Sequence, residues 1–300
     1  MKRKIVFVVN PIAGTRPKND LQQYLEKRTA LAGIDYIVMQ SLPDSDYGAL
    51  RTMIAKQQIT DVVVCGGDGT LSAVAGALMG TDINIGVIPV GSGNGLARAA
   101  GIPVKPSKAL DIVFAGKTAE VDGFYINRQF SCMLSGLGFD AQIAHNFAKN
   151  SRRGLITYTR ESLIQFFKAK PYQFEVEVAG FSFYTDAFFI SIANSNQFGN
   201  NFTIAPKASL TDGLLDIVIV QKMSKARLPF AILKQIRGNN TLQELVDTIS
   251  KRNVVYFQVP DIKIRNIQFA PLHIDGDPRD TADAFDIQIV PKAIRLLMPD

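Results

Sequence analysis

The chain has 300 residues, with 33 Lys and Arg against 27 Asp and Glu, two His, two Cys and no Trp. Two cysteines cannot make a disulfide framework and two histidines cannot make a His-rich metal site, which points to a reducing compartment. A chain this long buries about three quarters of its unfolded surface and is near the size at which one core divides, so two lobes are expected.

The start, Met1-Lys2-Arg3-Lys4, is basic like a signal peptide, but only Ile5–Val9 is apolar before Asn10-Pro11, and no small-residue cleavage site follows. It reads as a first β-strand. Lys4–Asn10 is a continuous apolar strand, Asn19–Leu31 has helical spacing, Asp35–Met39 is a strand, Tyr47–Lys56 a helix and Asp61–Cys65 a buried strand. Val74–Met79 lies on a helix, Asn84–Ile88 is a strand, and Gly95–Ala100 and Ser107–Phe114 are helical. Unalternating strands separated by helices predict a parallel sheet covered on both faces, a doubly wound α/β lobe.

After Val121-Asp122 the texture changes. Phe174–Val178, Phe181–Tyr184, Ala187–Ala193, Leu214–Val220, Val254–Val259 and Ile262–Ile267 alternate in the strand manner, with turn signals at Ala179-Gly180, Asp212-Gly213 and Pro260-Asp261. Helical stretches are expected around Thr157–Phe167 and Lys225–Gly238, so the second lobe is β-rich. Phe285–Val290 and Ala293–Met298 read as two further strands. No Gly/Ser linker separates the halves, and a ligand-binding cleft between lobes is expected. No apolar run approaches the roughly 18 residues that span a bilayer, so any membrane contact is expected to be peripheral.

The charge is uneven: 13 basic against 11 acidic residues over 1–125, 18 against 13 over 126–280, and 2 against 3 over 281–300. Two stretches carry much of the excess. Lys149, Arg152, Arg153, Arg160, Lys168 and Lys170 are opposed only by Glu161, and Lys222, Lys225, Arg227, Lys234 and Arg237 by no acid. Each is either a solvated face or a surface that attracts anionic lipid or nucleic acid.

Three strands of the α/β lobe run into glycine-bearing polar loops: Asn10-Pro11-Ile12-Ala13-Gly14, Gly66-Gly67-Asp68-Gly69-Thr70-Leu71, and Pro89-Val90-Gly91-Ser92-Gly93-Asn94-Gly95. Parallel sheets bind ligands beyond the carboxyl ends of their strands, where all three loops lie. Glycines let the backbone approach a phosphate, and the following helix offers unpaired N–H groups. Asp68 within that cradle would be repulsive unless a cation or a proton transfer accounts for it, which suggests nucleotide phosphate chemistry with Mg²⁺ or a general base.

The Walker pattern is absent, and no G-x-S-x-G elbow makes a nucleophile of Ser92 or Ser135. Gly136-Leu137-Gly138-Phe139-Asp140-Ala141 fits a relaxed dinucleotide pattern but stands outside a βαβ unit and reads as a turn. Cys65 and Cys132 follow apolar strand residues and read as core thiols.

Asn10-Pro11 with Gly14, Gly66-Gly67-Asp68-Gly69-Thr70 and Gly91-Ser92-Gly93-Asn94-Gly95-Leu96-Ala97-Arg98 together resemble the diacylglycerol kinase catalytic-domain family, which includes bacterial soluble lipid kinases and sphingosine and ceramide kinases. The resemblance continues in family order through Val121-Asp122, Gly136–Asp140, Ile204–Ala208, Asp212–Asp216, Asp275-Gly276-Asp277 and Ile289–Ala293.

It implies an α/β ATP-binding lobe of residues 1–122 and 281–300 and a β-sandwich lipid- and metal-binding lobe of 123–280. ATP would contact Asn10, Pro11, Ile12, Ala13, Gly14, Gly66, Gly67, Asp68, Gly69, Thr70, Leu71, Ser72 and Ser92, with Ser41 as the counterpart of a family Thr. Mg²⁺ would be held by Asp212 and the main-chain oxygens of Ser209 and Leu214. The resemblance makes Asp277 the catalytic base, an Asp where the family has Glu, with Asp68 organising phosphate and Mg²⁺; sphingosine kinases give the base role to the Asp68 position. Gly95 stands where many bacterial diacylglycerol kinases carry Asp, as in the sphingosine and ceramide branch.

The implied reaction moves the γ-phosphate of MgATP to a lipid hydroxyl, diacylglycerol first and a sphingoid base or other lipid second. The expected setting is cytoplasmic and peripheral to an anionic membrane that presents the lipid, with no nucleic-acid partner and a homodimer compatible. NAD kinase shares the GGDG loop, but no Asn-Glu dipeptide occurs in the chain. Phosphofructokinase leaves Asp212 and Asp277 without a role, and a non-catalytic nucleotide- or lipid-binding regulator remains a further alternative.

Overall fold

The computed structural model describes residues 2–14, 18–42, 46–149, 169–197, 203–243 and 252–299. The Arg152–Lys168 part of the first basic stretch and the helix expected over Thr157–Phe167 lie outside them. The chain forms two compact units, one of residues 1–123, 199–201 and 291–300, the other of 124–198 and 202–290.

The first unit is built from β1 (Lys4–Val9), α1 (Lys18–Leu31), β2 (Asp35–Gln40), α2 (Gly48–Gln57), β3 (Asp61–Gly66), α3 (Asp68–Leu78), β4 (Asn84–Pro89), α4 (Gly95–Ala99) and α5 (Pro106–Ala115). The strands lie in the order β2-β1-β3-β4, all parallel. Val6, Phe7, Val62, Val63 and Val64 are fully buried because helices cover both faces of the sheet. At the amino ends of the strands, Arg3 grips the buried Asp61 through two 2.9 Å bonds, and Thr60 and Asn84 donate to the same carboxylate. That cluster closes one end of the sheet and leaves the carboxyl ends for a ligand.

The second unit contains β6 (Gln129–Ser131), β7 (Leu134–Gly138), α6 (Phe139–Lys149), β8 (Tyr172–Val178), β9 (Phe181–Ala193), β10 (Leu215–Gln221), α7 (Leu228–Ile236), β11 (Val254–Val259), β12 (Asp261–Asn266), β13 (Leu272–Ile274) and β14 (Asp277–Arg279). Two strands, β5 (Thr118–Ile126) and β15 (Ala284–Leu297), run through the unit boundary. The ladders of the second unit are antiparallel, and β9 pairs with β7, β8 and β10. One core gathers Phe124, Phe174, Ile190, Ile217, Phe257, Leu272 and Phe285. A second gathers Leu134, Phe139, Phe189, Val218, Leu228 and Tyr256. Strands β9 and β10 feed both cores, so every residue of Leu215–Val220 is buried and the expected alternation is lost there.

Two pairs of expected strands are single strands. Phe181–Tyr184 and Ala187–Ala193 join as β9 because Thr185 and Asp186 keep register with Phe174 and Gln173 of β8. Phe285–Val290 and Ala293–Met298 join as β15 despite Pro291. The strand changes partner there, from β12 at residues 284–288 to β4 at Arg295 and Leu296. Lys292 takes φ +54°, and its N–H donates to the buried Asp122 carboxylate at 2.7 Å. The turn expected at Gly136–Ala141 is instead the end of β7 running into α6. Gly136 pairs with His273, and Gly138, at φ +100°, makes the change of direction.

Candidate active site

At the carboxyl end of β1, Asn10 Nδ2 donates to Thr70 Oγ1 at 2.8 Å, and Asn10 Oδ1 accepts the Ile12 N–H at 3.0 Å. Asn10 thus closes its own Asn10–Gly14 loop and fastens it to the loop after β3. Gly14, at φ +64°, turns the chain away, while Ile12 is 71 % exposed at the tip. Ser41 follows β2, and its N–H donates to the Val9 carbonyl at 2.9 Å, which sets it beside the start of the Asn10 loop.

The β3 and β4 loops touch backbone to backbone. A Cβ on Gly91 would stand 2.5 Å from the Gly67 Cα, a distance no side chain tolerates. The Gly66 carbonyl accepts the N–H groups of Val90 at 3.1 Å and Gly91 at 3.2 Å. Gly67 caps α3 with no side-chain bond, so the amides of Asp68, Gly69 and Thr70 open that helix beneath the loop. Leu71 and Ser72, expected to touch nucleotide, are buried, and the Leu71 N–H is taken by the Gly67 carbonyl at 3.1 Å. Both lie within α3.

Asp68 points away from its own helix. Its Oδ2 accepts the Gly95 N–H at 2.9 Å and its Oδ1 the Leu96 N–H at 3.3 Å, so it caps α4. Asn94, buried at φ +52°, folds the intervening loop, its side chain both accepting from and donating to the Gly91 backbone at 2.9 and 2.8 Å. Ser92 is exposed at that loop's tip. The first unit therefore gathers all the residues expected to bind ATP at one sheet edge.

In the second unit, Asp277 begins β14 after a two-residue hairpin turn, Asp275-Gly276, with both residues at positive φ (+51° and +83°). The turn is held from beneath. Asp275 Oδ1 accepts from Ser131 Oγ at 2.7 Å and from the Leu134 N–H at 3.2 Å, and the Gly276 N–H donates to His273 Nδ1 at 3.2 Å. With Nδ1 accepting, the proton of a neutral His273 sits on Nε2, which lies 3.4 Å from Asp140 Oδ2. Both are buried, and Gly136 makes the room, since a Cβ there would fall 1.9 Å from Asp140 Oδ2.

The Asp277 side chain itself is 56 % exposed. Its carboxyl is pushed up from the ordinary carboxylate value, desolvation by its packed surroundings outweighing the opposing pull of Arg279 and His273.

Asp212 stands in the tight turn before β10. Its Oδ1 accepts the Leu214 N–H at 3.1 Å, its Oδ2 lies 3.4 Å from Gln258 Nε2, and Gly213 takes φ +71°. Below it the buried Asp216 accepts from Tyr256 Oη and, at 2.9 Å, from Gln258 Nε2. Burial pushes Asp216 up to about 6, against the two hydrogen bonds, and the charge of Asp212 adds to the rise. Burial first, and then Asp216, push the Tyr256 hydroxyl up.

Among the described residues no group of three or more His, Cys, Asp or Glu is poised for a metal. The carboxylate of Asp212 with the carbonyls of Ser209 and Leu214 is a set of hard oxygens on an exposed turn, which fits Mg²⁺ completed by water or phosphate. Sequence reasoning gave Asp140 and Asp216 no role, although both fall within motifs that carry the resemblance, and it missed His273, Tyr256 and Gln258. Only the glycines around Asp140 carried a signal, and it is spatial: Gly136 is small because His273 and Asp140 meet above it.

A family model described as diacylglycerol kinase catalytic domain matches residues 4–126, and one described as YegS C-terminal NAD kinase beta sandwich-like domain matches 134–298, more than half the chain. The chain is 28 % identical over 306 residues to a diacylglycerol kinase of Mycobacterium tuberculosis, covering 99 % of this chain and 95 % of that one. It is 28 % identical over 253 residues to "Probable lipid kinase YegS" of Escherichia fergusonii, covering 80 % and 79 %. A solved structure of a diacylglycerol kinase from Bacillus anthracis superposes with a TM-score of 0.72 at 17 % identity, covering 99 % of this chain and 97 % of the other, a likeness of fold. The α/β unit, the β-sandwich unit and these matches agree: the chain belongs to the diacylglycerol kinase catalytic-domain family of lipid kinases.

Proposed function

We propose that this lipid kinase transfers the γ-phosphate of MgATP to a lipid hydroxyl, with diacylglycerol as the acceptor. The observation that carries the reading is the joined set of loops in the first unit, where Gly67 meets Gly91, Asn10 meets Thr70 and Asp68 meets Gly95. Such a surface of glycine backbone and helix-opening amides accepts phosphate oxygens without side-chain interference. The relatives' names support diacylglycerol over a sphingoid base, while Gly95 keeps the sphingoid base as the second candidate.

Phosphoryl transfer leaves a protein little covalent work, so positioning and charge neutralisation supply most of the acceleration. The amides of Gly66–Thr70 hold the phosphates, with Asn10–Gly14, Ser41 and Ser92 around the nucleotide. Asp277 accepts the proton of the lipid hydroxyl as that oxygen attacks phosphorus and ADP leaves. Its exposure and raised pKa suit a base that must meet an incoming substrate. Asp68, with both carboxylate oxygens engaged by amides, suits a clamp between phosphate loops better than a base. Bound at Asp212 with Ser209 and Leu214, Mg²⁺ would neutralise phosphate charge and help order the loops.

The acceptor is amphiphilic, and the basic excess of residues 126–280 suits a peripheral encounter with an anionic membrane. The test is incubation with labelled MgATP and mixed micelles of diacylglycerol, monoacylglycerol or a sphingoid base, with NAD as a parallel acceptor. Labelled phosphatidic acid is expected. Phosphorylation of NAD with no lipid product would overturn the reading.

A further inference from the structure

Helix α7 turns two different faces to its surroundings. Leu228 and Gln235 are buried, Ala231 and Ile232 pack on the second core, and Gln235 Nε2 donates to the Ile204 carbonyl at 2.8 Å. On the opposite face, at helical spacing, stand Phe230, 75 % exposed, Leu233, 43 % exposed, Lys234 and Arg237. An open groove at the flank is lined by Arg227, Phe230, Lys234, Asn240 and Arg252. No acidic residue occurs anywhere in 222–243.

A second exposed apolar set, Tyr184, Ile267 and Phe269, differs in one respect. The cations of its neighbouring strands are matched, Lys263 by Glu177 and Arg265 by Glu175. At α7, by contrast, outward apolar area coincides with a run of positive charge, 222–243, that contains no acid.

We infer that the outer face of α7 is the membrane-docking surface of this protein: Phe230 and Leu233 enter the interfacial region of an anionic bilayer while Arg227, Lys234, Arg237 and Arg252 engage its headgroups. The inference rests on the lipid kinase reading and names the element that meets the membrane. Charge complementarity selects an anionic surface, and the aromatic and aliphatic side chains at the centre of the cations select a bilayer over a nucleic acid, whose backbone offers them nothing apolar to enter.

The experiment is co-sedimentation of the full chain, without ATP or acceptor lipid, on vesicles of phosphatidylcholine alone and of phosphatidylcholine with phosphatidylglycerol. Binding is expected only to the anionic vesicles and is expected to weaken with salt. Phe230→Ser with Leu233→Ser should weaken it about tenfold, and Arg227→Gln with Lys234→Gln by a similar factor, about tenfold, with the salt dependence reduced. All four side chains are exposed, and an unchanged melting transition verifies the fold of each variant.

No vesicle binding by the unsubstituted protein, undiminished binding by the apolar double variant, or equal binding to neutral vesicles overturns the inference. So does tight binding of an RNA oligomer that the apolar double variant retains while vesicles are ignored. Failure of the kinase reading appears elsewhere, as absence of lipid phosphorylation in detergent micelles, where no bilayer is needed.

Discussion

The Asp68 carboxylate accepts the Gly95 N–H at 2.9 Å, joining the loop after β3 to the first turn of the helix after β4. With Leu96 as the second donor, this acid organises the five-residue α4, a helix too short to hold its own first turn. Asp68→Asn presents an amide nitrogen to one of those donors. It should lower stability by about 1 kcal/mol and weaken nucleotide binding. Denaturant midpoints and nucleotide titration measure the two effects, and intact nucleotide affinity would show that the clamp does not shape the phosphate site.

Asp277→Asn should reduce turnover at least about a hundredfold, the lower end for loss of a general base, with nucleotide binding retained. Asp277→Glu restores the length usual in the family and should keep activity. If Asp277→Asn retains turnover, the base lies elsewhere, with Asp68 the next residue to substitute.

The pH profile carries a separate expectation. Asp277 must be ionised to accept a proton, and its pKa is raised, so kcat/KM should fall on the acid side at a higher pH than an ordinary carboxylate would give. Arg279 opposes that rise, so Arg279→Gln should move the acid limb further up in pH. An unmoved limb would assign it to a different group.

Gly136→Ala drives a methyl group into the Asp140 and His273 side chains, at 1.9 and 2.6 Å. The expected cost is about 2 kcal/mol or more, because both partners are buried and neither can swing into water. Gly180→Ala serves as comparison. Nothing lies within 4 Å of its added Cβ, and only its positive φ opposes substitution, for about 1 kcal/mol. Equal losses in the two variants would mean that the Asp140–His273 pair yields easily.

Chelation of divalent cations should abolish turnover, and Asp212→Asn should raise the Mg²⁺ concentration needed for half-maximal rate. A magnesium titration unchanged by Asp212→Asn would remove this turn from the metal site.

The first unit was readable because β1, β3 and β4 are buried on both faces and its glycine-bearing loops are local sequence runs. The second unit resisted for two reasons. Strands such as β10 feed two cores, which erases the period-two pattern that marks a strand. Its site, moreover, is assembled from positions far apart in sequence: His273, Asp140 and Gly136 have no shared local pattern, and Asp216, Tyr256 and Gln258 meet only through the β10–β11 ladder. The family resemblance reached Asp212 and Asp277 through their Asp-Gly turns and took in Asp216 and Asp275 within the same motifs, but not His273, Tyr256 or Gln258, which complete the support of those turns.

Strand β15 has a consequence for how the protein is made. Its last residues, Arg295 and Leu296, lie beside β4, whose other neighbour, β3, is already in place by the first quarter of translation. The parallel sheet that carries the glycine-bearing loops thus keeps the β4 edge exposed until residues 293–297 have been made and have left the ribosome. Deletion of residues 293–297, however remote from the loops in sequence, would leave that edge open for good and favour aggregation over the native sheet.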